Sequence, residues 1–182
     1  MRSFRLQSLF IVVVLSFLAS CGGDDDDKKT SSATYYIEFK MNGGDLIRFE
    51  TKEPGYQACG SCACSTIPPT SLEGAGIYVC NESEDFSAND IENLENSSLV
   101  FTANDFPNAL FAFGKDGVNY SSDYAPDQVG SFTITKVVSD GDFFGSAQYK
   151  VTGTFECTVR ADGDDTDIAI TEGKFVIRLS EN

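Results

Sequence analysis

The sequence predicts an all-β domain: an antiparallel β-sandwich of about eight strands with one short helix. Polar and apolar residues alternate with a period of two in several segments, and short stretches rich in Gly, Asn and Asp separate them. Only one segment has the apolar spacing of a helix. A small β-barrel is the alternative, because alternation does not distinguish two packed sheets from one closed sheet.

The first half of the domain predicts a hairpin, a helix and several short strands. Tyr35–Met41 alternates, and Asn42-Gly43-Gly44 predicts a turn into a strand over Leu46–Glu50. The helix is predicted within Ser87–Asn96, where Ser87 or Asn89 caps it and Ile91 and Leu94 face inward. Further apolar runs predict strands at Ile77–Cys80, Leu99–Phe101, Ala109–Phe113 and Phe132–Thr135.

The clearest strand signal is near the C-terminus. Strict alternation over Ala147–Arg160 predicts a long, half-buried antiparallel strand. The acidic stretch Asp162–Asp167 predicts a turn, and Ile168–Leu179 predicts the returning strand. The apolar residues of this strand change parity around Glu172-Gly173, which indicates a β-bulge.

The N-terminus carries a basic start (Arg2, Arg5) and an apolar run, Leu9–Leu18. About ten residues is the length of a signal-peptide core and too short for a membrane span, which needs about 20. Leu18-Ala19-Ser20-Cys21 resembles the lipobox of bacterial lipoproteins. That resemblance implies cleavage before Cys21 and acylation of Cys21 with fatty acids such as palmitate, which would anchor the chain in a membrane.

The signal peptide and the lipobox-like sequence together divide the chain into three predicted segments. Residues 1–20 form a signal peptide, residues 21–34 form the lipidated cysteine with a disordered acidic tether, and residues 35–182 form a single β domain. The thirteen tether residues Gly22–Thr34 reach at most about 45 Å at about 3.5 Å per residue.

The sequence Cys21-Gly22-Gly23 with Asp24–Asp27 resembles the start of many lipoproteins of the Bacteroidota. This resemblance implies an outer-membrane protein that faces the cell exterior, with the periplasmic face as the alternative. The segments Val151–Phe155 and Ile170–Phe175 resemble the ending of small uncharacterised β-rich lipoproteins of the same group. Since that family has no established activity, the resemblance implies a location and a fold but no functional residues.

Composition limits the function. The net charge of −15 makes nucleic acid an implausible partner, because binding phosphates requires clusters of Lys and Arg. The absence of histidine excludes Ser-His-Asp and Cys-His nucleophiles and histidine zinc ligands. We therefore expect no cofactor and a non-enzymatic role in binding, adhesion or envelope structure.

The cysteines suggest disulfides. Cys59, Cys62 and Cys64 lie in a predicted long loop, Lys52–Gly76, and Cys80 and Cys157 lie on predicted strands. An exported chain sits in an oxidising compartment, so we expect two disulfides among these five cysteines and one unpaired cysteine, Cys157 being a candidate for a buried thiol. The alternative is a thiol-redox or metal-binding module centred on Cys59, Cys62 and Cys64.

Two other groups of residues are weaker candidates. Tyr120, Asp123, Tyr124 and Asp127 combine aromatic rings and carboxylates that suit a glycan, a peptide or an envelope protein. Asp162, Asp164, Asp165 and Asp167 have the ligand chemistry of calcium without EF-hand spacing, so a solvated turn is the favoured interpretation. The same interpretation holds for Asp140-Gly141-Asp142. The sequence does not determine the oligomeric state.

Overall fold

The structure is a computed structural model that describes residues 35–59, 62–68, 73–81, 86–101, 107–125 and 130–181, with only the backbone of 56–59. The predicted signal peptide, Cys21 and the tether lie outside the described residues. Within this part of the chain, no helix has the length and apolar character needed to cross a membrane.

The described residues form strands connected by short turns. The eleven strands are β1 Tyr35–Met41, β2 Leu46–Thr51, β3 Gly55–Cys59, β4 Cys62–Ile67, β5 Gly74–Cys80, β6 Ser98–Leu99, β7 Asn108–Lys115, β8 Val118–Ser121, β9 Gly130–Phe143, β10 Ser146–Ala161 and β11 Ile168–Ser180. The helix α1 covers Ala88–Glu92, and a 3-10 turn covers Ser122–Tyr124.

The strands belong to one antiparallel sheet that curls into a half-barrel, in the order β2-β1-β11-β10-β8-β7-β5-β4-β3. The long strand β10 pairs with β11 on one edge. On its other edge it pairs first with β9 and then, at Arg160 and Ala161, with β8. The predicted all-β antiparallel class with one short helix is confirmed, and the curled single sheet lies between the sandwich and barrel alternatives.

Phenylalanine rings fill the space between the facing halves of the sheet. Phe39 of β1 contacts Phe111 and Phe113 of β7, with ring centroids 5.2 and 4.8 Å apart. Phe111 also contacts Phe155 of β10 at 4.7 Å. Because β1 and β10 lie in one half and β7 in the other, these contacts hold the two halves together by burial of apolar surface.

Two glycine–phenylalanine pairs tighten the centre of the sheet. Gly153 lies opposite Phe175, and Gly173 lies opposite Phe155, on the paired strands β10 and β11. Each ring covers the opposing glycine so closely that an added Cβ would lie 2.4 Å from Phe175 Cζ or 2.6 Å from Phe155 Cδ1. Aromatic cover of a strand glycine restores the packing that the missing side chain would have given.

The predicted β-bulge is confirmed. The pairs Phe155–Gly173 and Cys157–Ile170 leave one extra residue on β11, and Glu172 adopts a left-handed φ of 53°. The predicted helix is confirmed in a shorter form, with Ser87 as its N-cap in a capping box with Asp90. Ile91 and Leu94 are buried, as expected.

The predicted loop over Lys52–Gly76 is wrong, because β3 and β4 form a hairpin there. Residues Lys52–Pro54 are all that separates β2 from β3, although these strands occupy opposite ends of the sheet order. The sheet must therefore curl to bring its two ends together. The backbone N–H of Arg178 in β11 donates a 3.3 Å hydrogen bond to the buried Ser65 Oγ of β4, which joins the two halves near this point.

Candidate functional site

A groove of about 340 Å³ lies over β4, β5, β7 and β8. We call it the tyrosine groove, and its lining residues are Thr66, Pro68, Gly74, Ala75, Gly76, Tyr78, Ala112, Phe113, Gly114, Asn119, Tyr120, Ser121 and Tyr124. None of these side chains carries a charge, and the hydroxyl and amide groups among them can donate and accept hydrogen bonds.

Small residues on neighbouring strands create the groove. Gly76 lies opposite Thr66 of β4 and opposite Ala112 of β7, which in turn lies opposite Ser121 of β8. Gly74, Gly114 and Asn119 form the adjacent row in the same way. Since residues directly opposite each other in a sheet share one face, the two rows leave a shallow depression beside Tyr78.

The structure places two of the four predicted ligand residues in this groove. Tyr120 lines it and stacks on Phe113, with ring centroids 4.7 Å apart and planes 12° apart. Tyr124 lines it with 46% of its surface exposed. Asp123 is exposed in the adjoining 3-10 turn and does not line the groove, while Asp127 lies outside the described residues.

Sequence reasoning missed Tyr78 and the row of small residues. Gly74 and Gly76 lie at the end of the predicted loop Lys52–Gly76, whereas the structure places both on β5. A glycine in a strand often marks a close approach of a backbone or a ligand, and this signal could have been used.

The described cysteines include a disulfide and a buried thiol. Cys62 and Cys80, directly opposite each other on β4 and β5, form a disulfide, which is one of the two that the sequence predicts. Cys157 is a free thiol at 5% exposure, and burial raises its pKa far above the usual range. Cys64 is also buried, and the side chain of Cys59 lies outside the described residues.

The disulfide withdraws Cys62 from the metal or redox alternative, and burial makes Cys157 a poor candidate for such chemistry. A disulfide-bonded Cys62 offers no thiolate to a metal, and a thiol with a raised pKa is a poor nucleophile. Among the described residues, no three His, Cys, Asp or Glu side chains are grouped so that they could hold a metal ion.

The acidic turn between β10 and β11 is held by its own contacts. Asp167 Oδ1 accepts a 2.5 Å hydrogen bond from Arg160 Nε, and Asp164 Oδ1 accepts a 2.8 Å bond from the backbone N–H of Thr166. Asp162 and Asp165 are exposed. These contacts fit the favoured interpretation of the calcium candidates as a solvated turn.

The interpretation of Asp140-Gly141-Asp142 as a turn is wrong, because β9 runs through it with a register shift opposite Gln148 and Tyr149. Asp140 instead joins a polar cluster with Tyr35 and Arg178. Arg178 donates from Nε to Asp140 Oδ2 and from Nη2 to Tyr35 Oη, both at 2.8 Å, and Tyr35 Oη donates to Asp140. Its local sequence resembles a turn, but its partner Arg178 lies 38 residues away.

Burial, reinforced by the hydrogen bond to Asp140, raises the pKa of Tyr35 from 10.0 to about 12. A raised tyrosine pKa means that the fold favours the neutral phenol. The resulting stability is therefore complete below pH 10 and is lost as the pH rises through about 12.

We expect an ultraviolet absorbance titration to show tyrosine ionisation well above the normal range, accompanied by a loss of stability in the same pH interval. Tyr35→Phe should remove one of the tyrosines that ionise only at high pH. Tyr149 should still ionise only at high pH, because burial raises its pKa as well. A wild-type chain in which every tyrosine ionises near pH 10 would contradict this assignment.

Comparisons of the chain with models of protein families, with curated proteins and with solved structures found no match.

Proposed function

We propose that this chain is a lipid-anchored protein of the outer cell surface, whose β domain binds a neutral ligand in the tyrosine groove without catalysing a reaction. The lipobox-like Leu18–Cys21 and the acidic run after it support the location. The observation that carries the binding role is the groove itself, where Tyr78 and Tyr124 lie with uncharged polar groups beside a floor of small residues.

The chemistry of the groove favours a glycan. Aromatic rings stack against the apolar faces of sugars, and Asn119, Ser121 and Thr66 offer the hydrogen bonds that hydroxyl groups require. An ionic ligand would find no opposite charge among the lining side chains. An uncharged peptide segment is the second ligand class that this surface suits.

Replacing Cys21 with serine should abolish the anchor, because a serine oxygen cannot take the place of the acylated sulfur. We expect wild-type cells grown with labelled palmitate to yield a labelled protein in the membrane fraction, and C21S cells to yield an unlabelled one.

On intact cells, added protease should degrade the wild-type protein. If the acidic run directs export to the surface, substitution of Asp24–Asp27 by asparagine should protect the protein from the added protease.

Filling the groove should abolish binding. A Cβ on Gly76 would make ordinary contacts of 3.4–3.5 Å with Tyr78, Ser65 and Thr66, so Gly76→Val is compatible with the fold and places its methyl groups in the groove. We would screen the wild-type chain by saturation-transfer NMR against oligosaccharides of glucose, xylose, mannose and N-acetylglucosamine, together with uncharged peptides. A hit should lose at least about tenfold in affinity with G76V, equivalent to about 1.4 kcal/mol.

The matched control is Ala169→Val, which adds similar bulk at an exposed position on β11, outside the groove. It should bind like the wild type. A ligand whose affinity is the same for the wild type, G76V and A169V binds elsewhere, and such a result would contradict the role of the groove.

A further inference from the structure

The turn between β9 and β10 presents two phenylalanines to solvent. Phe144 is 96% exposed and Phe143 is 47% exposed, and their rings meet edge to face with centroids 4.5 Å apart. We call this pair the phenylalanine tip. Among the described residues, Phe144 is the most exposed of the large apolar side chains. A pair of exposed aromatic rings at the end of a long hairpin indicates a surface that contacts something apolar.

The backbone fixes this exposure. Phe144 adopts a left-handed φ of 53°, which bulky residues rarely do, and Gly145 follows with a φ of 89°. Asp142 Oδ1 accepts a 2.9 Å hydrogen bond from the backbone N–H of Gly145 and closes the turn. The turn therefore holds the ring of Phe144 away from the domain.

The tip lies at the end of the sheet where the expected tether enters. Tyr35, the first described residue, hydrogen-bonds to Asp140, which precedes Phe144 by four residues on the same hairpin. At about 3.3 Å per residue, the tip is within about 13 Å of that contact along the strand. The acyl chains on Cys21 and the phenylalanine tip would thus approach a membrane from the same end of the domain.

The opposite end of the sheet carries an acidic turn that contacts one edge of the tyrosine groove. The turn with Asp162, Asp164, Asp165 and Asp167 lies at the other end of β10, next to Asn42 of the β1–β2 turn. The backbone N–H of Asp162 donates a 2.9 Å hydrogen bond to the carbonyl oxygen of Asn119, a groove residue. The hairpin of the tip has two aspartates, Asp140 and Asp142, against four in the far turn, and the exposed rings at the less acidic end favour a single orientation on a lipid surface.

We propose that the phenylalanine tip inserts into the lipid bilayer that holds the Cys21 acyl chains. It would be a second, non-covalent contact that orients the domain and turns the tyrosine groove away from the membrane. This inference rests on the lipid anchor of the proposed function. The tether confines Tyr35 to within about 45 Å of the bilayer and so keeps the nearby tip close to the lipid, and the insertion therefore needs little affinity of its own.

The chain contains no tryptophan, so the fluorescence of a single tryptophan placed at the tip reports only on the surroundings of the tip. We would prepare the full lipidated protein as F144W and insert it into phosphatidylcholine vesicles with or without bromine on the acyl chains. The matched control is L46W: Leu46 is 54% exposed and pairs with Lys40, at the far end of β1 from Tyr35. We expect blue-shifted emission and quenching by the brominated lipid for F144W, and neither for L46W.

Sedimentation of the same vesicles, with C21S chains in parallel, separates this proposal from the anchor. Lipidated protein that sediments while its F144W emission stays unquenched would overturn the insertion and leave the anchor intact. If wild-type and C21S chains sediment equally poorly, the proposed lipid anchor is wrong. Quenching of F144W at high lipid concentration then decides whether the tip binds lipid without the anchor. A blue-shifted F144W emission in lipid-free C21S protein that disappears on dilution would show that a second copy covers the tip, and would overturn the proposal.

Discussion

Replacing Gly153 with alanine is expected to lower the free energy of unfolding by about 3 kcal/mol, the upper part of the range for overpacked cores. The added Cβ would lie 2.1 Å from the carbonyl oxygen of Thr133 and 2.4 Å from Phe175 Cζ. The oxygen belongs to the backbone of the neighbouring strand β9, so β9 and β10 must separate to make room. Urea unfolding followed by circular dichroism measures the loss.

Gly76→Ala is the matched control for this prediction. Gly76 is also a strand glycine, but its Cβ would make only ordinary contacts, the nearest at 3.4 Å. We expect a change within about 0.5 kcal/mol for this variant, because alanine also restricts the unfolded chain. Equal stability of G153A and G76A would show that the sheet widens at Gly153 without cost, contrary to the packing described above.

Removal of the Cys62–Cys80 disulfide is expected to cost about 3 kcal/mol, the value for a loop of this size. The two cysteines are 18 residues apart in sequence, and their bond restricts the unfolded chain over that span. The double variant C62A/C80A should therefore unfold at lower urea concentration than the wild type. The disulfide joins β4 and β5, which contribute to the floor of the tyrosine groove. Ligand binding should therefore weaken as this part of the sheet loosens.

A reducing agent provides the control for the disulfide. Reduction should lower the stability of the wild-type chain to that of C62A/C80A or below it. Cys157→Ala should respond to the reductant as the wild type does, because Cys157 is a free thiol. A wild-type chain that keeps its full stability after complete reduction would contradict the prediction.

The sequence was informative where one side of an element is buried and the other is solvated. The alternation over Ala147–Arg160 identified β10 almost to its ends, and Ser87 identified the start of α1. The parity change near Glu172 identified the bulge, because one extra residue moves every later side chain to the other face. These features depend on local spacing, which the sequence contains.

The sequence was uninformative where contacts join distant segments. The sequence predicts a loop where β3 and β4 lie, because Cys, Ala, Ser and Thr give little apolar contrast between the two faces of a strand. Nothing in the local pattern separates the exposed Phe143 and Phe144 from the buried phenylalanines. The groove depends on the register of four strands, which no single stretch of sequence specifies.

The short connection Lys52–Pro54 has a consequence for the attachment to a membrane surface that we propose. Edge strands expose unpaired backbone groups, which can recruit a second chain and start aggregation. Here the end of β2 at Thr51 and the start of β3 at Gly55 are at most about 14 Å apart, because three residues join them. Arg48 on β2 also forms ion pairs with Glu38 and Glu50, and charges on an edge discourage pairing with another chain. Bringing its edges together in this way would help the domain remain monomeric at the high local concentration that a shared lipid surface imposes.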